Sequence, residues 1–542
     1  MILKRTLLAA PAVLALALSA CAGGAGNTAA SGDAAASGGA VEATTGIITA
    51  NGSEPQNPLI PGNTSETGGG RVVDLLFSRL VNYKADGSTE MDAAQSITTE
   101  DNITWTVKLR QDGKFSDGTP VLAKNFVEAW KLTSKEQMKG AYFFAPVEGA
   151  DEEGNGDLTG LKVVDDYTFT IKLKQAESDF PSRLGYAVYS PLPDSTLKDI
   201  KTGGEKPIGN GPYKLADSGW EHKVKIALVP NETYTGPRTP KNGGVTFMFY
   251  DSLDAAYADI SSDNLDVLDA IPDSALANYQ QDFADRSVND PTAIFQSFTI
   301  PARLKHFSGE EGKLRRQAIS YAINREEITE KIFNKTRTPA KDFTSPVVAG
   351  YNDKVPGNEL LTYDPAKAKE LWAKADAISK WEGTFEIAYN AEGGHQTWVD
   401  AVSNSIKNTL GIQAQGKPYA DFKSFRDDIT NRKITTAFRT GWQADYPGKY
   451  NFLAPIYGTG AGSNDGDYSS AAVDKLLVEA SAAKTPEEAN TKMDLIQQEL
   501  FKDLPAIPLW YSNVNGAWST KVSNVTFTWN SVPEYHNITK AE

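Results

Sequence analysis

From Val41 onward, stretches in which every second residue is apolar alternate with stretches of helical period, and no internal repeat or second low-complexity linker interrupts them. This alternation constrains the fold more than any other feature, because strands interleaved with amphipathic helices build layered α/β domains. TWTVKL (104–109) places Trp105, Val107 and Leu109 on one face of a half-buried strand. YTFTIKL (167–173) does the same with Tyr167, Phe169, Ile171 and Leu173, and further strands are expected at 224–229 and 245–250. Helix starts are marked chemically. Asp364-Pro365 supplies an N-cap and a first-turn proline before AKAKELWAKA, and Thr485-Pro486-Glu487-Glu488 reads as a capping box. LRRQAISYAI (314–323) gathers Leu314, Ala318, Tyr321 and Ala322 on one helical face. The order of strands in the sheet is not legible. The 542 residues suggest about three domains at ~150 residues each, and without linkers these must pack together or thread through one another.

The N-terminus gives the compartment. Lys4 and Arg5 precede the apolar run Leu7 to Leu18, which is shorter than the ~20 residues of a membrane-spanning helix but suits a signal peptide. The run leads into Leu18-Ser19-Ala20-Cys21, and Cys21 is the chain's only cysteine, so no intramolecular disulfide can form. The sequence resembles a bacterial lipobox, which implies cleavage before Cys21 and acylation of its sulfur. Two acyl chains hold firmly where one would dissociate, since each buried CH₂ contributes about 0.8 kcal/mol. The low-complexity residues that follow, 22–41, are rich in Ala, Gly and Ser and read as a flexible tether between membrane and body.

A formal net charge of −15 argues against nucleic-acid binding, which needs a basic face. Catalytic signatures are also missing from the sequence. The four histidines, His222, His306, His395 and His536, are far apart and form no HExxH pattern. There is no GxSxG elbow and no GxxxxGK[ST] loop, and Gly209-Asn210-Gly211 runs directly into Pro212 as a tight turn would. DEEGNGDLTGLK (151–162) has part of the calcium-loop spacing, but Lys162 stands where a bidentate Glu is required, so it reads as a polar loop. Neither an enzyme, a metal site nor a cofactor site is expected.

Six blocks resemble the substrate-binding proteins of oligopeptide and dipeptide ABC importers, solute-binding protein family 5. They are SEPQNPLIP (53–61), KFSDGTPVLAKNFVEAWK (114–131), PIGNGPYKL (207–215), LRRQAISYAINREEI (314–328), YDPAKAKELW (363–372) and GWQADYP (441–447), in the family's order. The resemblance implies an α/β protein, a large clamp of the type II periplasmic-binding-protein class, with two ligand-binding lobes and an additional inserted domain. Residues 1–21 would be the signal peptide with its lipobox. Residues 42–76, 200–295 and 516–542 would form a discontinuous first lobe, 77–199 the inserted domain and 296–515 the second lobe. The implied role is to capture short peptides between closing lobes and pass them to the permease and ATPase subunits of an importer. The chain would act as a monomer on the extracytoplasmic face of a bacterial membrane, held there by its lipid. The same fold could carry another solute, such as an oligosaccharide or a nickel chelate, and the 10 Trp and 21 Tyr residues could stack sugars.

A peptide zwitterion enclosed in a cleft needs both of its charges met, because an unpaired buried charge costs several kcal/mol. FRTGWQADYPGKYNFL (438–453) has a cation, Arg439, and a carboxylate, Asp445, on either side of an aromatic turn. Read alone, these are two solvated charges or a structural ion pair. The resemblance implies that Asp445 holds the peptide ammonium and that Arg439 can meet its carboxylate. Gly441, Trp442, Ala444 and Tyr446 complete the expected ligand-binding set. Alternation puts Arg439, Gly441, Gln443 and Asp445 on one face, with Tyr446-Pro447-Gly448-Lys449 expected as a type II turn. Two departures from the family pattern stand out. Gly448-Lys449 replaces an acidic residue and Pro, so Lys449 would repel an ammonium unless it points away, and Asn210 stands where Thr is usual.

Overall fold

The computed structural model describes residues 43–391, 394–420 and 422–541. The expected signal peptide, Cys21 and the tether through residue 41 lie outside the described residues. No helix among the described residues is long and apolar enough to cross a membrane.

Two long antiparallel strands, Ser287–Thr299 and Ala506–Trp518, organise the body. They lie at the middle of an eleven-stranded sheet and carry its two halves. Thr299 end first, Ser287–Thr299 pairs with Ala437–Gln443, beyond which lie Thr384–Asn390 and Gln413–Tyr419. At the other end, Ala506–Trp518 pairs with Val267–Leu268, followed by Ile47–Gly52, Gly244–Phe249, Lys225–Pro230 and Tyr213–Glu221. The pairing of the two long strands slips between Pro291 opposite Asn513 and Phe295 opposite Tyr511. Proline has no ladder donor, and the extra residues beside it form a bulge that bends the strand. On one side of the bulge Phe295, Phe298, Trp510 and Tyr511 enter one large apolar cluster; on the other Ala517 enters a small cluster and Trp518 packs against the second large one. The first large cluster takes residues from Ala293 to Tyr511, and the second runs from Ile48 to Val267 and returns at Val522, Tyr535 and Ile538.

A separate four-stranded sheet contains Ala94–Thr99, Thr104–Leu109, Thr168–Lys172 and Leu161–Asp165. As the alternation requires, Trp105, Val107 and Leu109 are buried, with Phe169, Ile171 and Leu173 facing the same core. Strands at Lys225–Pro230 and Gly244–Phe249 fall within a residue of their expected positions. The expected helix caps form. Asp364 Oδ1 accepts from the Ala366 and Lys367 N–H groups at 3.1 and 3.0 Å, and Thr485 Oγ1 accepts from Glu488 N–H at 3.2 Å. The box at Thr485 differs in one respect: the Glu488 carboxylate accepts from Lys484 N–H at 3.0 Å, one residue before the cap.

The Gly209-Asn210-Gly211 turn clamps the end of the first long helix, Thr67–Leu76. Gly211 N–H donates to Leu76 C=O at 2.9 Å, while Asn210 accepts from Ser78 N–H and donates to Ser78 C=O. The one side-chain amide thus makes both bonds to the Ser78 backbone. A side chain at Gly209 would put its Cβ 1.8 Å from Leu76 O, so the close approach admits only glycine. Gly209→Ala is expected to destabilise the protein by roughly 2 kcal/mol or more, read as a lower midpoint in urea unfolding. An unchanged midpoint would mean that the loop relaxes without cost.

Candidate functional site

The Ala437–Gln443 strand ends next to the bulge in Ser287–Thr299, and this juncture fixes the candidate site. Ala293 C=O, within the bulge, accepts from Ala444 N–H at 2.9 Å, and Ala293 N–H donates to Trp529 C=O at 2.8 Å. One residue thus ties the segment containing Asp445 to the C-terminal loop. Between them is a cavity of about 360 Å³ lined by Gln443, Ala444 and Asp445 on one wall. The rest of its lining includes Arg71, Tyr83, Tyr142, Tyr186, Trp529 and Tyr535.

Asn451 sets the orientation of Asp445. Its Oδ1 accepts from the Asp445 backbone N–H and from Trp442 Nε1, both at 2.9 Å, and its Nδ2 donates to Asp445 Oδ2 at 3.2 Å. Burial pushes the Asp445 carboxyl above the ordinary aspartate range, against the pull of Asn451, the Arg183 charge and the Tyr142 hydroxyl. A half-buried, pre-oriented carboxylate with aromatic walls is suited to a cation. Tyr83 and Trp529 meet edge to face at 5.4 Å, which makes those walls rigid.

Tyr446 points the other way, into a buried cluster beneath Asp445. Its hydroxyl donates to Asp179 Oδ2 at 3.0 Å, and the Arg183 guanidinium lies 5.2 Å from its ring centre. Arg183 also bridges to Glu177 at 2.8 Å. Burial raises both carboxyls, and the attraction of Arg183 opposes that rise.

Arg439, Gly441 and Trp442 line a second cavity of about 300 Å³. Arg439 Nε donates to Asn390 Oδ1 at 3.0 Å, and its guanidinium lies 5.7 Å from the Phe425 ring centre. The alternating face expected for residues 439–445 is therefore divided: Arg439 and Gly441 contribute to one cavity, Gln443 and Asp445 to the other, because the strand ends at Gln443.

The expected type II turn does not form. Gly448 is extended at φ −132°, and its N–H donates to Tyr446 C=O at 2.8 Å, closing a tighter turn around Pro447. Helix Lys449–Tyr457 starts immediately afterwards and turns Lys449 away from the cavity. The Lys449 side chain is fully buried, paired with Asp494 and donating to Gly350 C=O at 2.9 Å. Its charge is neutralised by Asp494, so it does not oppose a cation at Asp445.

Sequence reading missed Tyr142, Arg183 and Asn451. Tyr142 and Arg183 lie far from the 438–453 stretch in sequence, and only the tertiary fold brings them close. Asn451 left a weak signal, a capping-type residue near the start of the helix that follows Asp445.

The chain as a whole is similar to known proteins. Residues 89–464 match the model of the bacterial extracellular solute-binding proteins, family 5. The chain belongs to this family. Like other members it is a binding protein, not an enzyme, and its fold is the large two-lobed clamp. It is 26% identical over 526 residues to the periplasmic oligopeptide-binding protein OppA of Escherichia coli K12, covering 94% of this chain and 93% of that protein. Among solved structures it is similar to the murein tripeptide-binding protein MppA in an unliganded open form, with a TM-score of 0.80, 23% identity, and 92% and 97% of the two chains covered. It also resembles Haemophilus influenzae OppA in complex with the peptide RPPGFSPFR, with a TM-score of 0.68, 22% identity, and 92% and 99% covered.

Arg183→Met would leave Glu177 and Asp179 buried without a counter-ion, at an expected cost of ~3–5 kcal/mol near neutral pH. Both carboxyls titrate above their unfolded values, so the variant should recover stability as pH falls and they take up protons. Thermal melts across pH check this; a deficit that does not shrink in acid would contradict it.

Proposed function

We propose that this family 5 protein binds short peptides between its two lobes and delivers them to an ABC permease driven by its ATPase subunits. The observation that carries the reading is Asp445, a half-buried carboxylate held by Asn451 at the junction of the two halves. It would receive the peptide ammonium, with the Tyr142 hydroxyl beside it and Ala444 and Gln443 along the ligand backbone. Arg439, Gly441 and Trp442 would serve the extension of the ligand into the second cavity. Tyr446 acts from beneath, by fixing the segment on Asp179 and Arg183. A cavity of about 360 Å³ is within the range of small-ligand sites, which run from roughly 300 Å³ upward.

The lobes in this reading are 42–76 with 200–295 and 516–542, and 296–515, with 77–199 inserted. Closure bends the paired long strands at the bulge after Pro291. The chain works as a monomer outside the cytoplasm, anchored through acylated Cys21. The names of the relatives support peptides over other solutes.

Calorimetry with Ala-Ala-Ala tests this. The wild type should bind one peptide per chain, and Asp445→Asn should weaken binding roughly 100-fold or more by leaving the ammonium uncompensated. Affinity should decline as pH falls through the raised Asp445 pKa, because only the ionised carboxyl attracts the ammonium, and Asp445→Asn should lose that part of the pH dependence. A sugar or metal chelate recovered by mass spectrometry from the purified protein, with no response to peptides, would overturn the peptide reading in favour of another solute.

A further inference from the structure

The cavity that holds Asp445 also has two buried hydrogen-bond donors without a partner among the described residues. Arg71 lines the same cavity, and its Nε has no partner among the described residues. Tyr535 lines it too; its hydroxyl is likewise buried and unpartnered, and its ring is fixed edge to face on Phe247 at 5.2 Å. Buried polar groups are almost always satisfied, and each orphan donor is costly. Two orphan donors lining one cavity therefore define a place for an acceptor that the protein does not itself supply.

The Arg71 guanidinium is positioned for this task. Nη1 is 2.5 Å from Oδ2 of Asp269, whose side chain is fully buried, and it reaches Asn51 C=O at 3.4 Å. Asn51 in turn locks Asp269, donating from Nδ2 to Oδ1 at 2.8 Å and accepting from Asp269 N–H at 3.0 Å. The guanidinium is thus held by one corner, which leaves the rest of its planar fork uncommitted.

The other cations of the cavity are spent. Arg79 pairs with Asp74 at 2.8 Å and donates to Gly185 C=O. Arg238 keeps one orphan Nε, but its Nη groups serve Asp74, Phe77 C=O, Ser78 and Asp92, and its side chain is only 3% exposed against 15% for Arg71. His536 is held neutral, with its pKa pushed down to about 4 by burial and by Arg238. Nor is the start of helix Thr67–Leu76 vacant, because Glu66 turns its own carboxylate onto Gly69 N–H.

We infer that Arg71 and Tyr535 form a carboxylate subsite in the cavity that holds Asp445, so that a short zwitterion is met there at both of its ends. The carboxylate is the C-terminus of a short peptide or an acidic side chain. This deepens the peptide reading and rests on it; it assigns the anion to Arg71 in place of Arg439, which lines the other cavity.

The test is calorimetry on the purified full chain with three probes: Ala-Ala-Ala, its C-terminal amide, and Ala-Glu-Ala amide. The wild type should prefer the free acid over the amide by roughly tenfold to hundredfold, the range of a charged hydrogen bond. Recovery of affinity by Ala-Glu-Ala amide would assign the subsite to the acidic side chain; no recovery assigns it to the C-terminus. Arg71→Gln should bring acid and amide within about threefold of each other, and Tyr535→Phe, which removes only a hydroxyl, should reduce the preference severalfold. Thermal melts report that both variants are folded, and Tyr535→Phe keeps the test decisive if Arg71→Gln is not. Arg439→Gln, whatever it does to overall affinity, should keep the wild-type ratio of acid to amide binding. Should both variants retain that preference, or Arg439→Gln alone abolish it, the subsite assignment is wrong while the peptide reading stands. If the wild type binds acid and amide equally, the same holds. A wild type that binds none of the three sinks the peptide reading and the subsite with it.

Discussion

The backbone pairing of Ser287–Thr299 with Ala506–Trp518 is the constraint on which the rest depends. One continuous ladder belongs to both halves of the sheet, so the two apolar cores are joined by strands rather than by a loose linker. The ladder slips between Pro291 and Phe295 and again between Gln296 and Ser297, and at the first slip Ala293 bonds both to the segment leading into Asp445 and to the loop holding Trp529. The bulge, where the proposed closure would bend the ladder, is thereby bonded to two segments that line the cavity, and a ligand drawing them together would act on it directly.

Around the site several buried ions are met by a counter-ion. Lys449 pairs with Asp494, Arg183 with Glu177, and Arg79 and Arg238 share Asp74. Asp445 is different. Its hydrogen-bond partners are neutral, the Asn451 amide and the Tyr142 hydroxyl, with Arg183 acting through its field. An acid kept half-buried without a salt bridge is destabilising in the unliganded protein and is offset when a cation arrives.

Much of the fold was legible because local rules agree with the tertiary outcome. The alternation in 104–109 and 168–172 sets the buried face, and Asp364 and Thr485 cap their helices as short-range chemistry requires. Sheet order was not legible, since strands as far apart as Ile47–Gly52 and Gly244–Phe249 pair in parallel through long crossovers. The site was read in part. Asp445 and Ala444 line one cavity together, whereas Arg439 lines another, because strand periodicity says nothing about where the strand stops. Lys449 could not be placed from sequence either; its direction is set by a helix that begins at that residue, and its partner Asp494 lies on another helix. Arg71 and Tyr535 carry no local signature at all, and only the fold brings them together.

The most direct measurement is a crystal structure of the protein grown with Ala-Ala-Ala. The account predicts the peptide ammonium about 3 Å from the Asp445 carboxylate, with residues 528–536 closed over the ligand. A bound peptide with its amino end elsewhere, and Asp445 turned toward solvent, would contradict it.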